Sequence, residues 1–328
     1  MSQAPTIAAI RSLRDALGEQ IVRTPVLRCA AIESLIGSTS RVYGKLEFLQ
    51  RTGTFKARGA LATIAEIPAD QRAAGVTACS AGNHAIATAF AAREFGISAK
   101  IVMISSASPA RVAACREYGA EIILVDDVHE TFTIAERIQK EEGRFFVHPF
   151  EGQAVATGTG MVGLEICEQL AAFDALIVPV GGGGLIGGVA NAVKQLRPDV
   201  QIFGVEPDGA DSMHRSFAAG SPQSIDKVRT IADSLGAPFA MPYSFSLCKD
   251  NVDELVRVDD RQLKRAMAVL YETMQIAVEP ACAASTAALL GPLRQSLAGK
   301  TVMLVFCGSN IDWDTFASQA DFEGSNAN

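Results

Sequence analysis

Five short runs, residues 100–104, 121–125, 175–180, 201–205 and 301–306, are largely apolar and show no period-two alternation. Strands wetted on one face alternate; strands buried on both faces read as continuous Val, Ile and Leu. Between and beside them lie helix candidates at 83–95, 109–118, 131–141, 187–195 and 260–271. Parallel strands need long crossover connections, and helices supply them. The alternation predicts the α/β class, with two doubly wound lobes and mainly parallel sheets. His148-Pro149-Phe150 reads as a crossing between the lobes, and residues 317–328 read as a frayed tail.

In such folds, ligands bind at the carboxyl ends of strands. The run 175–180 leads directly into Gly181-Gly182-Gly183-Gly184-Leu185 and then a helix. Glycines let backbone amides turn toward an anion, and the helix N-terminus adds its positive dipole end. That is a phosphate cradle. Two other readings stand beside it. Gly182, Gly184 and Gly187, with Glu206 beyond a second strand, also satisfy a nicotinamide-dinucleotide fingerprint. Alternatively, the glycines serve only tight strand–helix packing.

The segment Thr52-Gly53-Thr54-Phe55-Lys56 places a lysine behind a turn and directly before helix formers. A lysine near its ordinary pKa of about 10.4 is protonated and idle, so one that forms Schiff bases needs a special pocket. Against that stands the common case of a solvated lysine at a helix start. Ser80-Ala81-Gly82-Asn83-His84 follows a short extended run and opens a helix. It offers amides and a hydroxyl suited to a carboxylate, or merely an N-cap. Cys307 ends the last apolar run and is read as a site residue or as core packing.

The net charge of −7 argues against nucleic acid as a partner. No apolar stretch is long enough to predict a membrane span, and Met1-Ser2-Gln3-Ala4-Pro5 lacks the features of a signal peptide. Seven unpatterned cysteines and four scattered histidines point to reduced thiols and no transition-metal site. A cytoplasmic enzyme is expected.

Taken together and in order, these motifs resemble the fold-type II pyridoxal-phosphate enzymes (tryptophan synthase β-like), in the serine/threonine dehydratase and serine racemase branch. The resemblance runs from about residue 5 to 316. It implies a large cofactor-binding domain from residues 1–70 and 150–316, a small mobile domain at 71–149, and a homodimer. By resemblance, Lys56 anchors pyridoxal 5'-phosphate and removes the substrate's Cα proton, while Phe55 supports the cofactor ring. Asn83 faces its phenolic oxygen, and Gly181, Gly182, Gly183, Gly184 and Leu185 hold its phosphate. Ser80, with the backbone of Ala81, Asn83 and His84, clamps the substrate carboxylate. Cys307 faces the ring nitrogen, and the cofactor phosphate is the implied proton donor to the departing hydroxyl.

Three positions depart from the family pattern. Ala81 stands where racemases carry a serine that serves as acid, so racemisation should be weak. A divalent-cation site implied at Glu206 and the carbonyl of Ala210 has Ser212 as its third member, with Asp211 beside it, which disfavours a hard cation. Gly158-Thr159-Gly160-Met161 replaces a more usual Gly-Gln-Gly-Thr and is expected to reshape the side-chain pocket. The resulting expectation is a pyridoxal-phosphate-dependent ammonia-lyase for a β-hydroxy-α-amino acid, L-threonine or L-serine by default. A 3-hydroxyaspartate or phenylserine dehydratase is the alternative. From other classes, an NAD-dependent oxidoreductase or a non-catalytic binding protein remains open.

Overall fold

A computed structural model describes residues 3–36 and 39–322. In chain order the strands are β1 (Val26–Arg28), β2 (Arg41–Leu46), β3 (Val76–Cys79), β4 (Ala99–Ile104), β5 (Glu121–Val125), β6 (Phe145–Phe146), β7 (Ala175–Pro179), β8 (Gln201–Pro207), β9 (Glu254–Val258) and β10 (Thr301–Phe306). The larger sheet has the order β1-β2-β10-β7-β8-β9; the smaller has β5-β4-β3-β6. Among the described residues only β1 pairs antiparallel, with β2; every other ladder is parallel. This is the α/β architecture with mainly parallel sheets that the apolar runs imply.

β10 lies between β2 and β7, with Val302 opposite both Val42 and Ala175. The most central strands, β7 and β10, are buried nearly throughout, which is why their sequences do not alternate. β9 is an edge strand with Glu254 and Arg257 exposed, so its apolar signal is diluted.

One long helix escapes the sequence reading. Gln153–Gln169 contains Gly158, Gly160 and Gly163, residues that weaken a helix on propensity. Packing explains them. A Cβ at Gly158 would collide with the carbonyl of Arg58, and one at Gly163 with the carbonyl of Val189. The Gly158–Met161 segment is therefore buried in helix packing, with the Thr159 hydroxyl donating to the Gly184 carbonyl at 2.8 Å. It draws this helix against the one carrying Lys56.

That approach is reinforced by a buried ionic cluster. Arg58 donates to Glu47 and to Glu165, each at 2.7 Å, while Lys45 pairs with Glu165 and the Thr24 carbonyl. All four charged side chains are fully buried. Removing one partner from such a cluster strands a buried charge, typically at a cost of about 3–5 kcal/mol.

Trp313–Gln319 is helical, capped by Asp312, and Phe316 and Phe322 pack against Tyr271. Residues 323–328 lie outside the described part. Among the described residues no helix is long and apolar enough to cross a membrane.

Candidate active site

Lys56 opens the helix Lys56–Ala65 at the carboxyl edge of the larger sheet. Its position is set by the turn before it. Thr52 and Gly53 both adopt positive φ, and a Cβ on Gly53 would meet Asn310. The Phe55 N–H and the Thr54 hydroxyl each donate to the Cys307 carbonyl at 3.1 Å. The lysine amine then donates to the Pro149 carbonyl at 2.7 Å and lies 5.3 Å from the Phe55 ring centroid. Burial lowers its pKa to about 8, with Cys307 and Glu279 pulling the other way. About a tenth of this amine is neutral at pH 7, far more than for a surface lysine of pKa about 10.4.

The glycine loop leaves β7 and starts the helix Gly184–Leu196. Gly183 is left-handed, with φ +88, and no side chain of its own caps the helix start. The helix begins three residues earlier than its sequence pattern implies, because the turn is completed at Gly183. Cβ atoms on Gly182 or Gly184 would run into Phe150. One concave surface joins Phe55, Lys56, Asn83, Gly181–Leu185 and Cys307.

Ser80-Ala81-Gly82 links β3 to the helix Asn83–Glu94. Neither Ser80 nor Asn83 acts as the N-cap; that residue is Gly82, with no side-chain capping bond. Instead the Ser80 hydroxyl accepts the Gly82 N–H at 3.1 Å. His84 is buried and bonds the Val147 carbonyl through Nε2 at 2.8 Å, while burial, with Lys56 close by, pushes its pKa down to about 3. It is a neutral group. Ala81, Asn83, His84 and Ser80 share a second cavity with Lys56.

Cys307 is buried, and a hydrogen bond with Cys282 together with burial pushes its thiol well above the usual pKa. It is a neutral thiol. Glu206 lies elsewhere: its oxygens accept the N–H groups of Met213 at 2.9 Å and His214 at 2.7 Å. Burial lifts its pKa to about 8 despite those bonds. Asp211 is turned to Arg215 and Arg257. A cation at Glu206 and Ala210 would have to displace these contacts. Among the described residues no group of three or more His, Cys, Asp or Glu is arranged to hold a metal.

Sequence reasoning missed Glu279. Its carboxylate accepts from the Asn83 amide at 2.8 and 3.0 Å and from the Ser234 hydroxyl at 3.3 Å. Burial, aided by Asp233, raises its pKa to about 7. In sequence, a glutamate before Pro280 reads as an ordinary helix start; only tertiary packing buries it. Phe132, Phe150 and Phe239 were also missed, because they come from three separate segments.

A family model described as "Pyridoxal-phosphate dependent enzyme" matches residues 17–308. This chain belongs to that family. It is 52% identical over 313 residues to phenylserine dehydratase from Ralstonia pickettii, covering 95% of each chain. It is 38% identical to L-threonine ammonia-lyase from Thermotoga maritima, covering 94% of this chain and 76% of the relative. Among solved structures, maize serine racemase superposes with a TM-score of 0.91 at 36% identity, covering 96% and 97% of the two chains. The cofactor is pyridoxal phosphate, and the residues at hand fit it. The loop has uncapped amides at a helix start for a phosphate, and a desolvated amine stands on the same concave surface for an aldehyde.

Proposed function

We propose that this enzyme eliminates water from a β-hydroxy-α-amino acid and releases a 2-keto acid and ammonia. The observation that carries the reading is Lys56, a lysine with pKa near 8 on one surface with the glycine loop and Cys307. L-Threonine and L-serine are the default substrates, and the relatives named above act, by their names, on this class of amino acid. A racemase would need an acid on the face opposite Lys56, and Ala81 has no proton to give.

In this reading the amides of Gly181–Leu185 would hold the phosphate, Phe55 would support the ring, and Asn83 and Cys307 would serve its phenolic oxygen and its nitrogen. A dinucleotide at Gly182, Gly184 and Gly187 is not required. When bound, pyridoxal phosphate supplies an electron sink that makes the substrate's Cα–H acidic. Lys56 Nζ takes that proton, and the Ser80–His84 loop holds the α-carboxylate with a hydroxyl and backbone amides. Cys307, a neutral thiol, places no charge beside the ring. Loss of the β-hydroxyl as water leaves an enamine, whose hydrolysis yields keto acid and ammonia.

Residues 1–70 and 150–316 form the cofactor-binding domain and 71–149 the small mobile one; the smaller sheet, drawn wholly from residues 76–146, supports this division. The same reading makes the enzyme a cytoplasmic homodimer, which light scattering of the purified holoenzyme tests. The functional test is a keto-acid assay with serine, threonine, 3-hydroxyaspartate and phenylserine. A yellow protein that forms keto acid supports the proposal. A colourless protein that binds NADH, or a yellow one inert toward all four, sinks it.

A further inference from the structure

Five rings form a closed circuit beside the amine of Lys56. Phe132 contacts Phe146 at 6.5 Å between centroids, Phe146 contacts His148 at 6.0 Å, and His148 contacts Phe150 at 4.6 Å. Phe150 then contacts Phe239 at 6.1 Å, and Phe239 returns to Phe132 at 6.4 Å. These separations and angles are those of edge-on and tilted aromatic packing. Three of the rings, Phe132, Phe150 and Phe239, line a cavity of about 300 Å³ that also holds Lys56 and the Ser80–His84 loop. The reacting end and the ring-walled end are one space.

Phe150 is a fixed wall, since its ring occupies the space a Cβ at Gly182 would need. Phe132 comes from the helix Val128–Glu142 beside the smaller sheet, and Phe239 from a loop beyond the larger one. Phe132 remains 37% exposed at the edge of this cavity. A planar apolar group on the substrate would cover it.

The charges in the cavity point the same way. Among the described residues lining it, the cationic groups are Lys56 and Arg111. Arg111 donates to Asp233 at 2.8 Å and to the Asn310 carbonyl at 3.3 Å, so its charge is already matched. A second carboxylate on the substrate would meet rings rather than an unpaired cation. A methyl or hydrogen on the β-carbon would leave the rings uncovered.

We propose that Phe132 and Phe239 select an aryl group on the β-carbon of the substrate, with Phe150 as the rigid floor. This rests on the ammonia-lyase reading above and names the substrate class for that site. The rings take no part in proton transfer; they determine which β-substituent is held.

The test compares kcat/KM for β-phenylserine and L-threonine in the holoenzyme and in Phe132→Ala, Phe132→Leu and Phe239→Ala. The parent should prefer phenylserine, and each alanine variant should lower the phenylserine-to-threonine ratio by about tenfold, mainly through KM. Phe132→Leu preserves apolar bulk without a ring and should lower the ratio less. Calorimetric binding of L-phenylalanine and L-alanine, which carry no β-hydroxyl, separates the two proposals. Phenylalanine binding more tightly than alanine, and losing that margin in the alanine variants, supports the ring site even if turnover fails. Threonine turnover with an unchanged ratio in all variants would overturn the aryl assignment and leave the lyase reading standing. Equal affinity for phenylalanine and alanine in the parent would overturn it as well.

Discussion

Phe55 and Cys307 stand near opposite ends of the chain, yet the Phe55 N–H donates to the Cys307 carbonyl at 3.1 Å. The Thr54 hydroxyl shares that acceptor, and Thr54 bridges Gly308. The end of β10 therefore sets where Lys56 begins its helix. The lysine and the thiol are two sides of one fixture.

Replacing Lys56 by alanine should abolish the visible absorbance of the holoenzyme and lower elimination by several orders of magnitude. No other group proposed here both anchors the cofactor and takes the Cα proton. The one hydrogen bond lost is that to Pro149, so the variant should fold. Borohydride reduction and peptide mapping of the parent check the assignment; label on a different lysine would refute it.

The pKa of Lys56, about 8, has a kinetic consequence. Cofactor-free protein should capture pyridoxal phosphate covalently at a rate that rises through pH 7–9 and then levels. A lysine of ordinary pKa, about 10.4, would keep accelerating beyond that range. Reductively trapped incorporation, measured across pH, distinguishes the two profiles.

At Cys307, serine should preserve much of the activity, since both side chains are neutral hydrogen-bonding groups. Aspartate introduces a carboxylate that would keep the cofactor's ring nitrogen protonated, and elimination should slow relative to side reactions. Steady-state rates and product partitioning of Cys307→Ser and Cys307→Asp provide the measurement. Identical behaviour of the parent and the aspartate variant would reduce the thiol to core packing.

Racemisation should be minor. Ala81 offers a methyl group where an acid is needed, and in the proposed binding mode the Ser80 hydroxyl donates to the substrate carboxylate. L-Serine should yield pyruvate with very little D-serine, and Ala81→Ser should raise the D-serine fraction. Chiral chromatography of the reaction mixture reads both. Comparable D-serine and pyruvate from the parent would contradict the assignment.

Glu279 should leave a signature in stability. Its folded pKa of about 7 lies above the ordinary carboxylate value, so the folded protein holds a proton that the unfolded chain has released. That contribution is complete below the unfolded pKa and disappears as pH rises through about 7. Glu279→Gln lacks it. The melting temperature of the cofactor-free variant, relative to the parent, should therefore climb between pH 5 and pH 7.5, reflecting up to about 3 kcal/mol. A pH-independent difference would argue against a raised pKa.

Read alone, the sequence carried the architecture and much of the chemistry, because both leave local traces. Unbroken apolar runs such as 301–306 announce strands buried on both faces, and Gly181–Gly184 announces an amide-lined turn at a helix start. Lys56 was legible as the residue behind a turn. Its lowered pKa was not, since the burial that causes it exists only once distant segments converge around the amine. The helix Gln153–Gln169 was hidden because its glycines answer to neighbouring backbones rather than to helix propensity. Glu279 and the ring circuit were beyond reach for the same reason. A carboxylate bonded to Asn83, and three phenylalanines from three segments facing one cavity, exist only after the sheets and loops have packed. Local patterning specifies backbone shape; burial and convergence, on which reactivity and selection depend, are properties of the assembled tertiary structure.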